Sequence, residues 1–549
     1  MDYNRLAEIL FPHIDKTPED YEAIYPPREE GKVITRLGPS PTGFIHLGNL
    51  YGAFVDERLA HQNGGTFYLR IEDTDDKRYV EGAVDTIINS LKFFGINFDE
   101  GAGCGPDSTD AGDYGPYYQS QRGPIYQAFA KRLVSEGKAY PCFLTEEELA
   151  EIRARQEANK MTTGIYGECA EKNRNLTCEE VEANIAAGKP YTIRLRSCGD
   201  GEHYICVDDG IRGDVSMPCN YQDVVILKAN GIPTYHFAHV IDDHLMRTTH
   251  VVRGEEWLMS LPIHIELFKT LGFEPPVYCH TAVLMKLDDE TGNKRKLSKR
   301  KDPELSLDYY RQEGYHPAAV KEYLLTILNS NFEEWRMANP DADINDFEFT
   351  TEKMSSAGAL FDLNKLNDIS KDVLLKIPAD ELADFMLEWA KEFKPKAAGA
   401  LSDKEYLTKI LNIGRDEAKP RKDLIYAKQI FDFISYFYDD YFVIEERIPE
   451  QVSDEDAREI LKRYLETYDH SDDQPTWFEK IRTITADLGY AVKPKDYKKH
   501  PEEYKGSVAH VSTVIRIAVT GRSQSPDVWT IQQILGEDRV RARIQELIG

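Results

Sequence analysis

The stretch Val33–Asp75, VITRLGPSPTGFIHLGNLYGAFVDERLAHQNGGTFYLRIEDTD, constrains the fold more than any other part of the chain. Val33–Leu37 is a short apolar run with β-branched residues and predicts a strand. Gly38-Pro39-Ser40-Pro41-Thr42-Gly43 can neither continue that strand nor open a regular helix, because its prolines lack N–H donors and its glycines admit unusual dihedrals. A helix is predicted from about Asn49 to His61, where Gly64-Gly65 breaks it. Thr66–Ile71 predicts a second strand, with Glu72-Asp73-Thr74-Asp75 at its carboxyl end. Strand–loop–helix–strand is the first half of a nucleotide-binding α/β sheet, whose ligands sit beyond the carboxyl ends of the strands. Those ends carry Arg36, Ser40, His46 and Glu72.

A helix N-terminus with free N–H groups attracts anions, and Gly48 lets a phosphate approach the backbone. His46 stands just ahead of that helix, placed to donate to a phosphate oxygen. The spacing is neither the six-residue glycine pattern of dinucleotide binders nor the lysine-containing P-loop.

The remaining 3.6-residue and alternating patterns divide the chain. Ahead of the first strand, Tyr25–Gly31 reads as a linker. Val80–Phe94 predicts a helix with Val84, Ile87, Ile88, Leu91 and Phe94 on one face. Ala139–Pro218 mixes charged helices with short strands and reads as a separate unit. Asp223–Lys228, Thr234–Val240 and Thr249–Arg253 predict three strands, followed by a helix over Leu258–Leu271. They complete the sheet begun at Val33 and bring Tyr235, His239, Asp242, Arg253 and Glu255 to strand ends. Val277–Met285 predicts one more strand. Lys294–Asp302 follows as a loop in which six of nine residues are cationic. Lysine and arginine on such a loop can close on polyphosphate charge developing in a transition state. From about Leu305 the spacing turns helical, with a short strand expected near Phe347–Thr351. Basic groups at Arg415, Lys419, Arg421, Lys422, Lys493, Lys495, Lys498 and Lys499 lie near aromatics such as Tyr436, Tyr438, Trp477 and Tyr497. Most of those rings are expected in the core, and the basic runs could engage an unpaired RNA loop.

Composition excludes several classes. Hydrophobic residues make up 41% and charged residues 30% of the 549, with no long uncharged apolar run, so no membrane contact is expected. The start, MDYNRLAEIL, does not read as a secretory signal. Eight cysteines without a C-x-x-C pair fit free thiols in a reducing cytoplasm, so a cytoplasmic location is expected. The net charge of −28 disfavours a polyanion partner only on average, since binding depends on local patches.

The pairing of PSPTG-x-x-H-x-G at Pro39–Gly48 with KLSKR at Lys296–Arg300 resembles the two ATP-binding motifs of class I aminoacyl-tRNA synthetases. RLGPSPTG and RIEDTD (Arg70–Asp75) are closer still to the bacterial-type glutamyl branch. IRG (Ile211–Gly213), PTYHFAHVIDDHLM (Pro233–Met246), VVRGEEW (Val251–Trp257) and IRIAVTGR (Ile515–Arg522) continue the match in order along the chain. The resemblance implies an α/β fold: a class I Rossmann-like parallel-sheet catalytic domain, split by an inserted α+β acceptor-stem domain and followed by all-α anticodon-binding domains. It divides the chain into an extension (1–32), the first catalytic half (33–125), the insertion (126–220), the second half (221–290), the KLSKR loop with a stem-contact domain (291–375) and a helical anticodon-binding region (376–549).

The implied activity is ATP-dependent ligation of L-glutamate to tRNA(Glu) through a glutamyl-adenylate. By resemblance His46 and Lys299 are catalytic. Gly43, His46, Gly48, Lys296, Ser298, Lys299 and Arg300 bind ATP, with Mg2+ carried on the phosphates. Arg36, Ser40, Glu72, Tyr235 and Arg253 bind glutamate, the arginines holding its side-chain carboxylate. Asn49 stands where the general motif has a second histidine, and Leu297 where it has methionine. Cys142-Phe143-Leu144 and Cys169-Ala170-Glu171 lack half of the zinc ligands that some members carry, so no bound metal is expected. A monomer is expected. The alternatives are a glutaminyl-branch enzyme, which would need C-terminal β-barrels, and an inert tRNA-binding paralogue.

Overall fold

The computed structural model describes residues 1–41, 45–75, 80–288 and 290–549. It forms two compact units: residues 1–308 with 321–362, and residues 309–320 with 363–549.

The first unit is built on parallel strands. β1 (Ile34–Leu37) pairs with β2 (Thr66–Leu69), and β2 with β3 (Glu100–Gly101), all parallel. Helix Leu47–Gln62 crosses between β1 and β2, as a parallel pair requires. It begins two residues earlier than its periodicity suggested because His46 caps it. Strands β1 and β2 are almost wholly buried on both faces, the mark of a sheet covered on both sides.

The inserted segment has its own sheet. β4 (Ala139–Cys142) pairs antiparallel with β5 (Thr192–Leu195), and β5 with β8 (Val225–Leu227). β6 (Tyr204–Asp209) and β7 (Gly213–Pro218) form a separate hairpin between them in the chain. The predicted strand at Asp223–Lys228 therefore belongs with the insertion and not with the parallel sheet. β9 (His250–Gly254) and β10 (Val277–Thr281) are parallel to each other. The Thr249 N–H donates to the Ile34 carbonyl at 3.0 Å, which sets β9 beside β1. The carboxyl ends of β1 and β9 thus lie together, and Arg36 and Arg253 with them.

Thr234–Val240 is not a strand. Tyr235–Leu245 is a helix with Thr234 at its N-cap. Phe237, Ala238, Val240, Ile241 and Leu245 are buried around it, so a run expected as a strand is a core helix covered on most sides. Asp242 and Asp243 consequently sit inside the unit on a helix, not at a strand end. The cationic stretch is not all loop either: β12 (Lys294–Lys296) pairs back on β11 (Leu284–Leu287). No strand forms at Phe347–Thr351; Phe347 and Phe349 are buried beside helix Leu47–Gln62, where the Gln62 side chain both donates to and accepts from the Phe349 backbone.

The stretch Tyr25–Gly31, expected as a linker, is partly buried. Tyr25 is 4% exposed and stacks on Tyr114, and Arg28 lies over the same ring at 3.8 Å. Arg28 also pairs with Glu100. Helices Tyr3–Leu10 and Pro18–Glu22 pack on helix Gly123–Ser135. Tyr25 accepts a hydrogen bond from Arg122, whose Nε donates to Asp242 at 2.7 Å.

The second unit is helical, and no strand is present among its described residues. Its core runs from Leu374 to Ile544. Tyr436, Phe437, Tyr438, Trp477 and Tyr490 are core rings. Arg415 turns inward and donates to the carbonyls of Leu374 and Leu375, closing the end of helix Leu363–Lys376. It is therefore a cap and not part of an RNA-facing run. Lys493, Lys495, Lys498 and Lys499 remain exposed around helix Pro494–Lys499.

Replacing Arg122 by Met leaves Asp242 without its closest guanidinium while buried. The expected loss is about 3–5 kcal/mol. It is measured by urea denaturation followed at a probe in the first unit. A midpoint matching the wild type would contradict the assigned pairing.

Candidate active site

A cavity of about 380 Å³ opens at the joined ends of β1 and β9. Arg36, Ser40, His46, Gly48, Glu72, Tyr235, Arg253 and Lys296 line it. Eight residues singled out from the sequence thus meet in one place. Ser298, Lys299 and Arg300 do not line it; they follow directly after Leu297, which does, and Lys299 and Arg300 are exposed. Gly43 lies outside the described residues. Asn49, Asp56, Glu256, Trp257 and Leu305 complete much of the wall.

His46 is fixed by the start of its helix. Its Nδ1 accepts the Asn49 N–H at 3.2 Å, and the Asn49 side chain accepts the His46 N–H at 3.0 Å. Asn49, where the general motif carries histidine, is thus the reciprocal half of a capping box. With Nδ1 accepting, the neutral ring carries its proton on Nε2. Burial lowers the His46 pKa, helped by the charges of Lys296 and Lys299. The imidazole is therefore a neutral donor. A side chain at position 48 would put its Cβ 3.0 Å from the His46 ring, so Gly48 is what lets the imidazole lie over the first turn.

Another part of the cavity wall is ionic. Asp243 is fully buried. It accepts from Arg70 at 2.5 Å and from Arg36 Nε at 3.3 Å, and His239 Nδ1 lies 2.6 Å away. Burial opposes this carboxylate, yet Arg36 and Arg70 hold it well below the usual carboxylate range. Glu72 accepts from the other terminal nitrogen of Arg70 at 3.1 Å. A Cβ at position 38 would come within 2.4 Å of the Glu72 carboxylate, so Gly38 provides the room that this group occupies. Asp56 is buried with Oδ1 unpartnered, and burial raises its pKa well above normal. Tyr235 stacks on His239 and packs against Trp257, 4.3 Å between centroids.

Arg253 differs from its neighbours. Its Nε donates to His280 at 2.9 Å and one terminal nitrogen bonds His264 at 3.0 Å. The other terminal nitrogen has no partner. No ion pair to Arg253 is found among the described residues.

The cationic segment carries its own anchor. Arg295 grips Asp302 through both terminal nitrogens at 2.6 and 2.8 Å, and the Ser298 N–H donates to Asp302 at 2.7 Å. The hydrogen bonds from Arg295 pull the Asp302 pKa down to about 2. Arg295 is thereby committed to structure, while Lys296, Lys299 and Arg300 stay exposed. Sequence reading missed the anchoring roles of Asp302, Asp243, His264 and His280. The Asp242-Asp243 doublet next to the apolar residues Val240 and Ile241 was a readable sign of a buried ionic site; His264 and His280 had no local sign.

No helix among the described residues is long and apolar enough to cross a membrane. The one grouping there that could hold a cation, His500, Glu502 and Glu503, is exposed and contains no cysteine.

Replacing Asn49 by Ala removes half of the capping box. A loss of about 1 kcal/mol is expected in chemical denaturation. An unchanged midpoint would show that His46 is held by something else.

Residues 32–368 match the family model for the catalytic domain of class I tRNA synthetases (E and Q), and residues 381–548 match an anticodon binding domain. The chain is 63% identical to the glutamate–tRNA ligase of Acetivibrio thermocellus, covering all of both chains. It is 50% identical to that of Clostridium perfringens over 99% of this chain and all of the other. The crystal structure of a glutamate-tRNA synthetase from Elizabethkingia anophelis superposes with a TM-score of 0.74 at 29% identity, over 94% of this chain and 99% of that one. The Rossmann catalytic unit and the helical unit that follows it are those of this family: the chain belongs to the class I tRNA synthetases of the E and Q group, among the glutamate–tRNA ligases.

Proposed function

We propose that this cavity joins L-glutamate to ATP and that the activated glutamate is then passed to tRNA(Glu). The observation that carries the assignment is the make-up of the cavity wall: guanidinium groups with Glu72, and a neutral donor on a helix N-terminus within the field of Lys296. Arg36 and Arg253 offer cations to the side-chain carboxylate of glutamate. Glutamine would leave one of those donors facing an amide N–H, which is the basis for rejecting it. Glu72 accepts from the substrate ammonium, and Ser40 and Tyr235 fix the rest of the amino acid.

The α-carboxylate of glutamate attacks the α-phosphorus of ATP. The new O–P bond forms as the bond to pyrophosphate breaks. His46 donates its N–H to a phosphate oxygen, and the positive end of the helix at Gly48 adds to that field. Lys299, with Lys296, Ser298 and Arg300, takes up the charge of the departing pyrophosphate. Magnesium supplies charge neutralisation on the phosphates when bound. The acidic lining is spread over Asp56, Glu72 and Glu256, and the one three-ligand grouping among the described residues lies away from it at His500, Glu502 and Glu503, so the wall fits an ion delivered on the nucleotide. In the second step the terminal ribose hydroxyl of tRNA attacks the acyl carbon and AMP leaves. The anticodon region and the exposed lysines of helix Pro494–Lys499 supply tRNA contacts. The chain acts as a monomer in the cytoplasm on this reading.

Charging of bacterial tRNA with radiolabelled glutamate tests the activity; no charging by a folded chain would overturn it. In the same assay Lys299→Ala slows adenylate formation by about two orders of magnitude with little change in glutamate KM, as removing one transition-state donor does. An unchanged rate would refute the pyrophosphate role. Affinity for tRNA is expected to fall as salt rises, because phosphate contacts release counterions. A flat dependence, read by filter binding, would remove the exposed lysines from the interface.

A further inference from the structure

The three arginines around the amino-acid site are held in two different ways. Arg36 and Arg70 share Asp243, and Arg70 also binds Glu72, so carboxylates partly cancel their charges. Arg253 is buried too, 8% exposed, yet its hydrogen-bond partners are imidazoles. Arginine is a donor only, so both ring nitrogens that meet it must be acceptors. His280 therefore carries its proton on Nδ1, which lies 2.5 Å from Asp209 on β6. His264, on helix Leu261–Leu271, carries its proton on Nε2, which lies 2.9 Å from His236 Nδ1. Strand register places His280 opposite Arg253 on the neighbouring strand, and the Tyr278 ring lies 4.5 Å from the guanidinium. Each of these partners of Arg253 is neutral. The remaining terminal nitrogen of Arg253 is buried and unpartnered, and the residue lines the cavity.

A carboxylate at either histidine position would hold the guanidinium as firmly and cancel its charge. Imidazole holds it by accepting two N–H bonds and leaves the charge in place. A buried cation without an anion is costly, and that cost is relieved when a ligand carboxylate arrives. A ligand amide relieves it far less. We propose that His264 and His280 are specificity-determining positioning residues, which orient Arg253 as neutral acceptors so that its uncancelled charge is reserved for the side-chain carboxylate of the amino acid. This rests on the reading of Arg253 as a carboxylate-binding residue. The burial that keeps His264 well below its ordinary pKa, and lowers His280 also, agrees with neutral rings.

The test is an isosteric pair. In His264→Asn the amide oxygen takes the place of Nδ1 as a neutral acceptor; in His264→Asp an anion does. Glutamate-dependent ATP–pyrophosphate exchange is measured for both, with glutamine as competitor. The Asn variant is expected to stay within about threefold of the wild-type glutamate KM. The Asp variant is expected to raise it about tenfold or more and to narrow the preference over glutamine, with ATP KM unmoved. Equal KM values for the two variants would overturn the proposal. His280→Gln and His280→Glu repeat the comparison if either His264 variant fails to fold. Nitrogen-15 spectra of the histidine-labelled wild-type chain need no variant: a protonated His264 Nδ1 or His280 Nε2 at neutral pH would overturn the proposal. Arg253→Gln separates the two levels. If it leaves glutamate KM unchanged, the reading of Arg253 itself fails; if it raises KM while the Asn and Asp variants agree, only the role of the histidines fails.

Discussion

Asp242 and Asp243 are the pair on which the first unit depends. They are neighbours on helix Tyr235–Leu245, and consecutive helix positions point in different directions. Asp242 faces Gln119, Arg122 and Tyr126. Asp243 faces Arg36, Arg70 and His239. One helical turn therefore ties the ends of β1 and β2 to the segment that leads into the insertion. Buried charges of this kind are tolerated only when nearly every polar atom is satisfied, and removing one partner costs far more than the pair contributes. Through Arg122 and Tyr25 the same network reaches the N-terminal extension, which gives that segment a place in the structure.

The network also decides which charges remain for a ligand. Its carboxylates are shared among Arg36, Arg70 and Arg122, while the hydrogen-bond partners of the Arg253 side chain on the adjacent strand are imidazoles. Elsewhere in the cavity wall, a capping box orients His46, and burial keeps its pKa low. The cationic segment that follows β11 is shaped by Asp302, which takes Arg295 out of play and leaves the lysines exposed. In each place an anchor fixed by hydrogen bonds sits beside a group left open to the cavity or to solvent.

Much of this was legible beforehand. Strands β1 and β2 and the helix between them followed from apolar runs bounded by Gly and Pro. The helical second unit followed from its spacing. Eight of the residues singled out for chemistry line one cavity. Where reading failed, a longer-range effect had overridden local pattern. Thr234–Val240 carries β-branched and aromatic residues, yet it lies in a helix buried on most sides, where tertiary packing outweighs strand propensity. Asp223–Lys228 reads as a strand and contains one, but pairing with β5 assigns it to the insertion. Arg415 reads as part of a basic run, and only the position of helix Leu363–Lys376 turns it inward as a cap.

The sequence by itself determined the family, the sheet-and-helix order around the first motif, and the residue types that gather at the strand ends. Those depend on short-range period, turn chemistry and motif order, which a linear chain displays. Only the tertiary structure decided the charge state of the site. Whether an arginine is cancelled by a carboxylate or held by an imidazole depends on partners such as Asp243, which is 207 residues from Arg36, and His280, which is 27 residues from Arg253. Hydrogen bonds and Coulomb forces act across space, and no local pattern records which groups the fold will bring within about 3 Å of each other.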